Sequence, residues 1–138
     1  MNEPLTQTTR YTLPKAVRLR GEKQIEDIFR HPHRQSLSAF PLRMVYTLAP
    51  HTDDSSAVQI LISVPKRHLH HAVDRNRTKR QLREAIRREL PAIKQILAQQ
   101  TPKQQLKAAI LWQCEMLKET PQVQKCVKNI FQRFSEKL

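Results

Sequence analysis

Between residues 82 and 97 the apolar side chains Leu82, Ile86, Leu90, Ile93 and Leu97 return at steps of four, four, three and four. At about 100° per residue those steps set them along one side of a single helix, with Ala85 at the margin. Asp74 is a good N-cap for that helix, which is expected to run at least to residue 88, and Pro91 marks where it would kink on continuing. A second stripe runs beside the first: Asn76, Arg80, Arg83 and Arg87 follow at steps of four, three and four, about a quarter turn round, with Arg77 and Arg88 farther on. Arg75 and Lys79 share the bearing of the apolar side, yet they precede Leu82 by one to two turns, and burying them would strand two charges. The start of the helix is therefore expected to overhang the core.

Shorter patterns flank it. Ile25, Ile28 and Phe29 sit at helical spacing within residues 21–30, and Pro32 opposes continuation, which predicts a short helix with one apolar side. Residues 42–48 and 57–64 are rich in branched and aromatic side chains and are separated by turn-forming residues, so they read as two antiparallel strands. Pro65 ends the second strand, and Lys66-Arg67-His68-Leu69-His70-His71 forms a basic, polar loop into the long helix. Residues 108–114 make a short apolar run suited to a buried strand. Thr120 and Pro121 supply an N-cap and a proline at the first helical position, after which Val123, Val127, Ile130, Phe131 and Phe134 recur at helical spacing. Residues 1–17 hold Pro4, Pro14 and many polar residues without a sustained period and are expected to be a flexible N-terminal segment. Residues 18–138 are expected to form one α+β domain, a sheet with helices packed on it.

Charge then changes the picture. The 138 residues carry 25 Lys and Arg against 12 Asp and Glu, a formal +13, which draws anionic partners: nucleic acid first, an anionic membrane second. No apolar run approaches the ~18 residues of a spanning helix and no apolar leader opens the chain, so no membrane role and a cytoplasmic location are expected. From residue 66 to 88 the basic side chains are Lys66, Arg67, Arg75, Arg77, Lys79, Arg80, Arg83, Arg87 and Arg88, opposed only by Asp74 and Glu84. A solvated helix face is the plain explanation of a charge run. Repulsion at this density, and the preference for arginine, whose planar fork matches phosphate, favour a polyanion instead.

Other chemistries find little support. A single glycine leaves no glycine-rich phosphate loop. Cys114 and Cys126 stand twelve positions apart without a C-x-x-C partner, which fits two reduced thiols rather than a zinc ribbon or a disulfide framework. His68, His70 and His71 share a loop with no cysteine or defined carboxylate partner, so no metal ligand is assigned among them. No spaced set of carboxylates and histidines suggests a protein nuclease site.

The stretch Arg75-Asn76-Arg77-Thr78-Lys79-Arg80-Gln81-Leu82-Arg83-Glu84 resembles the RNR signature of the bacterial ribonuclease P protein component, RNR-x-KR-x-x-RE. Upstream, Leu13-Pro14-Lys15 with Arg18-Leu19 resembles that family's opening motif, and Ile62-Ser63-Val64 before Lys66-Arg67 resembles its strand and paired basic residues. These landmarks span roughly residues 11 to 90. The resemblance implies a single-domain α/β sandwich of the ribosomal protein S5 domain 2-like kind, helices packed on a mixed four-stranded sheet with a left-handed βαβ crossover. Chain physics alone would have selected the opposite hand.

By the same resemblance the protein is a subunit of ribonuclease P, an endoribonuclease of tRNA processing, in which RNA is the catalyst. It is expected to bind the catalytic RNA through Lys66, Arg67, Arg75, Asn76, Arg77, Lys79, Arg80, Arg83 and Arg87. A cleft between the first helix and the sheet is expected to receive the single-stranded 5′ leader of precursor tRNA, with Ile25, Phe29 and Tyr46 as candidate lining. Phe29 matches a family aromatic, whereas Ile25 stands where a second aromatic is common and Leu61 where glycine is usual. Mg2+ is expected to belong to the RNA, and no catalytic or metal-ligating residue is assigned to the protein. A general module for structured or ribosomal RNA would carry the same basic helix, and remains the alternative. A DNA-reading helix fits poorly beside flanking strands, so no DNA partner is expected.

Overall fold

A computed structural model describes residues 17–19, 22–50 and 57–138. Its elements in chain order are α1 (Glu22–Arg30), β1 (Gln35–Ala39), β2 (Leu42–Pro50), β3 (Val58–Ser63), α2 (Ala72–Gln100), β4 (Gln104–Trp112) and α3 (Thr120–Glu136). The four strands form one mixed sheet in the order β1-β2-β4-β3, which bears out the expected α+β architecture.

The strand neighbours differ from expectation. β2 and β3 do not pair with each other, because β4 lies between them, antiparallel to β2 from Leu42↔Trp112 to Pro50↔Gln104 and parallel to β3 from Val58↔Leu106 to Ser63↔Leu111. A strand whose partner comes some fifty residues later leaves no local trace of it, and the apolar run Ala108 to Trp112 is what a doubly flanked central strand requires. β1, hairpinned to β2 in the register Gln35↔Tyr46 to Ala39↔Leu42, went unread because only Leu37 and Ala39 face inward along an otherwise polar edge strand. At the other edge, Arg18 bridges Ile60 in parallel, with Ile60 N–H donating to Val17 O at 2.7 Å and Leu19 N–H to Ile60 O at 3.0 Å. Residues 17–19 thus cover part of the β3 edge. Of the segment expected to be flexible, Val17 is buried and paired, and residues 1–16 lie outside the described residues.

Strand alternation divides the apolar residues between two layers. Met44, Tyr46, Ile60, Ala108, Ile110 and Trp112 join Leu82, Ile86, Leu90, Ile93 and Leu97 of α2 and Val123, Val127, Ile130, Phe131 and Phe134 of α3 in the main core. On the opposite face Val45, with Leu61 and Leu111 at its margin, packs with Ile28 of α1 and Leu19 in a much smaller cluster. The apolar stripes expected of α2 and α3 are buried, whereas on α1 Ile28 is buried, Ile25 half-buried and Phe29 exposed. Cys114 is buried and Cys126 half-buried, and neither is in a disulfide.

Helix boundaries show why caps are hard to place. α2 starts at Ala72, after His71, so Asp74 is not its N-cap but an acid in the first turn, where it favours the positive end of the helix dipole. α2 also runs straight through Pro91 to Gln100. Leu90, Ile93 and Leu97, buried on one face across the proline, hold both halves against the sheet and outweigh the lost backbone bond. α3 has Glu119 rather than Thr120 at its N-cap, with Glu119 N–H donating to Gln122 Oε1 at 3.1 Å. The Thr120 hydroxyl instead accepts from Gln81 Nε2 at 3.1 Å, and the same Nε2 donates to Lys118 O at 3.0 Å, pinning α2 to the start of α3.

Candidate nucleic-acid interface

Burying the Leu82–Leu97 stripe orients α2, and so decides what its basic stripe meets. Asn76 and Arg80 are exposed, as are Lys66 and Arg67 in the loop after β3; Arg77, Lys79, Arg83 and Arg87 are half-buried. The loop is a turn closed on Pro65 O, which accepts from His68 N–H at 3.1 Å and Leu69 N–H at 3.2 Å, while Leu69 sits in the core. The expected site residues therefore fall on α2 and the loop that leads into it.

The charged groups are not equivalent. Arg83 is pushed below the usual guanidinium value by burial and by the positive charges of Arg18 and Arg80. Arg18 was noticed in the sequence only as part of an opening motif. Its approach to α2 depends on residues 17–19 pairing beside β3, a tertiary fact with no periodic signal. Arg87 has a carboxylate partner: its Nη2 and Nε donate to Glu84 Oε1 and Oε2 at 2.7 and 3.1 Å, and Arg88 Nε donates to Glu84 Oε1 at 3.2 Å. Burial would raise the Glu84 carboxyl, but these hydrogen bonds and the two positive charges hold it below its ordinary value. Arg77 lies 3.9 Å from Glu119, a pair of little strength because the Glu119 side chain is open to water. Arg75 donates through Nη1 to Leu69 O at 3.0 Å and His70 O at 2.8 Å.

The opposite face of the sheet holds the candidate cleft. An open pocket of about 440 Å3 is lined by Phe29, Pro32, Arg34, Gln35, Ser36, Arg43 and Val45, with Phe29 36% exposed at its wall. Arg43 Nε donates to Ser36 Oγ at 3.0 Å across β1 and β2. Arg34 and Arg43 were not singled out from the sequence, although Arg43 alternates with the buried Leu42 and Met44 and so had to point to this face. Ile25 is half-buried on α1 and does not line this pocket. Tyr46 is a correction. It is 2% exposed, on the α2–α3 side, its ring edge-on to Phe134 at 5.0 Å and its hydroxyl donating to Gln35 Oε1 at 2.9 Å. One residue along a strand reverses the face, so it is Val45 that reaches the cleft and Tyr46 that fills the core.

Comparison with known proteins bears on the family and the fold. The model of one protein family, ribonuclease P, matches residues 13–135. The chain belongs to the ribonuclease P protein family. It is accordingly a subunit of that tRNA-processing endoribonuclease and acts with ribonuclease P RNA. The ribonuclease P protein of Staphylococcus aureus superposes with a TM-score of 0.61 at 17% identity, over 87% of this chain and 96% of the other. A mutant of the S. aureus protein described as defective in mRNA degradation superposes with a TM-score of 0.63 at 16% identity, over 96% and 95% of the two chains. At such identities the likeness speaks for the ribonuclease P protein fold alone. No curated protein matches. Among the described residues no helix is long and apolar enough to cross a membrane, and no group of three His, Cys, Asp or Glu side chains is placed to hold a metal ion.

Proposed function

We propose that the protein binds the catalytic RNA of ribonuclease P through the α2 stripe and the loop before it, and receives the 5′ leader of precursor tRNA in the pocket beside Phe29. The observation that carries the first half is the gathering of Arg18 and Arg80 near Arg83, whose guanidinium is pushed below its usual value by burial first and by those two like charges second. Planar guanidiniums gathered on one surface match the phosphates of a polyanion. Lys66, Arg67, Asn76, Arg77 and Lys79 extend the same surface. Arg87 joins it only with a charge already shared with Glu84.

The second half rests on the pocket's chemistry. A partly exposed aromatic wall offers a stacking surface to an unpaired base, and Arg34 and Arg43 supply phosphate contacts. Because α2 and this pocket lie on opposite faces of the sheet, one protein can meet two RNA strands at once and screen their charges from each other. In this reading hydrolysis is the work of the RNA and its Mg2+, and the protein lowers the Mg2+ demand and positions the substrate.

The test is cleavage of a 5′-extended precursor tRNA by the cognate ribonuclease P RNA at low Mg2+, with and without the protein. Accurate cleavage should be restored by the protein and lost on combined replacement of Arg18, Arg80 and Arg83 by alanine. Binding without stimulation would turn the reading toward a general structured-RNA module. Cleavage without added RNA would turn it toward a protein nuclease.

A further inference from the structure

The loop between β3 and α2 presents Lys66 and Arg67 to solvent, and neither a glycine turn nor a helix cap fixes its shape. It contains no glycine, and His71, at the N-cap of α2, makes no side-chain hydrogen bond to the helix. Two anchors hold it instead. Leu69, 4% exposed, plugs into the core from the middle of the loop. The second anchor comes from the helix. Arg75 Nη1 donates to Leu69 O at 3.0 Å and to His70 O at 2.8 Å, clamping the two peptide groups that follow the turn on Pro65.

The direction of this side chain matters. Arg75 shares the bearing of the buried stripe, about 100° from Asn76 and the outward row it begins, and so reaches back beneath the loop rather than out along that row. Its partners are neutral carbonyls, so the bonds leave its charge in place while spending one guanidinium nitrogen on the fold. We propose that Arg75 is a positioning residue: it holds the residue 66–71 turn against the start of α2 so that Lys66 and Arg67 stand beside Asn76, Lys79 and Arg80 as one cationic surface. This rests on the reading that the surface meets RNA, and assigns Arg75 a part different from that of Arg80.

The two parts are separable by coupling. If Arg75 acts through the loop, its removal costs affinity only while Lys66 and Arg67 are there to be positioned. The affinity of the full-length protein for ribonuclease P RNA is measured for Arg75→Ala, Lys66→Ala/Arg67→Ala and the triple variant, with Arg75→Met, which keeps the apolar stem, as a second single variant. Both Arg75 variants should bind about tenfold more weakly, the size expected for two lost hydrogen bonds, and this loss should shrink to less than about twofold in the double-alanine background. Hydrogen exchange of the free protein supplies an RNA-independent readout: the amides of His68 and Leu69 should exchange faster in both Arg75 variants while those of β4 keep their protection.

Equal losses in both backgrounds, with the log-affinity against log-salt slope falling by about 0.7–0.9, would make Arg75 an ordinary phosphate contact and overturn the proposal. Unchanged exchange at His68 and Leu69 would overturn it too. If the Lys66→Ala/Arg67→Ala variant binds as tightly as the parent, the reading of the loop as RNA-facing fails first, and the positioning role falls with it.

Discussion

Glu84 is the residue on which the outward arginines turn. Its carboxylate is buried to 8% exposure and receives three hydrogen bonds from Arg87 and Arg88, so it fixes two guanidiniums that would otherwise sweep solvent. Replacing Glu84 with alanine should lower stability at pH 7 by about 1–2 kcal/mol, the scale of charge-assisted hydrogen bonds partly open to water. The pH dependence has a definite sign. The folded carboxyl titrates below its ordinary value, so its contribution is present above the unfolded pKa and is lost as pH falls through the folded one. The melting-temperature gap between parent and Glu84→Ala should therefore be widest near neutrality and close in acid; a gap that persists below pH 3 would mean that the loss is packing, not charge. At this scale the sequence was half legible. Residue types and helical spacing identified the cationic row, but whether an arginine reaches outward like Arg80, back to a carbonyl like Arg75 or sideways to a carboxylate like Arg87 depends on neighbours that periodicity does not contain.

Among the elements, α1 is held least. Among its described side chains Ile28 is the one that is fully buried, packing with Leu19 and Val45, whereas α2 and α3 each commit at least five apolar residues to the main core. Ile28→Ala should cost about 2–4 kcal/mol where α1 meets the sheet, released as local opening before global unfolding. The expected result is faster amide exchange in α1 and weaker binding of a leader-bearing precursor tRNA, with affinity for the catalytic RNA kept within about twofold. Equal loss of both affinities would show that α1 is not an independent unit. Elements with a strong periodic stripe were readable in advance, and those defined by distant pairing were not. β1 lacked apolar residues enough to announce itself, β4 gave no sign of its place between β2 and β3, and the face assigned to Tyr46 was reversed by a single step of register.

For the whole molecule the decisive quantity is charge. With a formal +13 and about six side chains each neutralising a phosphate, log affinity for RNA should fall against log salt with a slope of roughly −4 to −5. Arg80→Ala should flatten that slope by about 0.7–0.9 and leave the melting temperature unchanged, because Arg80 is exposed on α2 and no part of the core rests on it. A large fall in melting temperature would instead make Arg80 part of the fold. Net charge alone pointed to a polyanion; that the charge is divided between α2 and the opposite-face pocket emerged only from how the sheet separates them.

The central position of β4 bears on how the chain is made. Synthesis delivers β1, β2, β3 and the whole of α2 before residues 104–112 leave the ribosome, and until then β2 and β3 lack the strand that joins them. A nascent chain ending at Gln100 carries nearly every cation of the RNA face on a scaffold that cannot close, with two strand edges open to other chains. The RNA-binding surface thus exists as a sequence well before it exists as a shape, and the last strand is what turns one into the other.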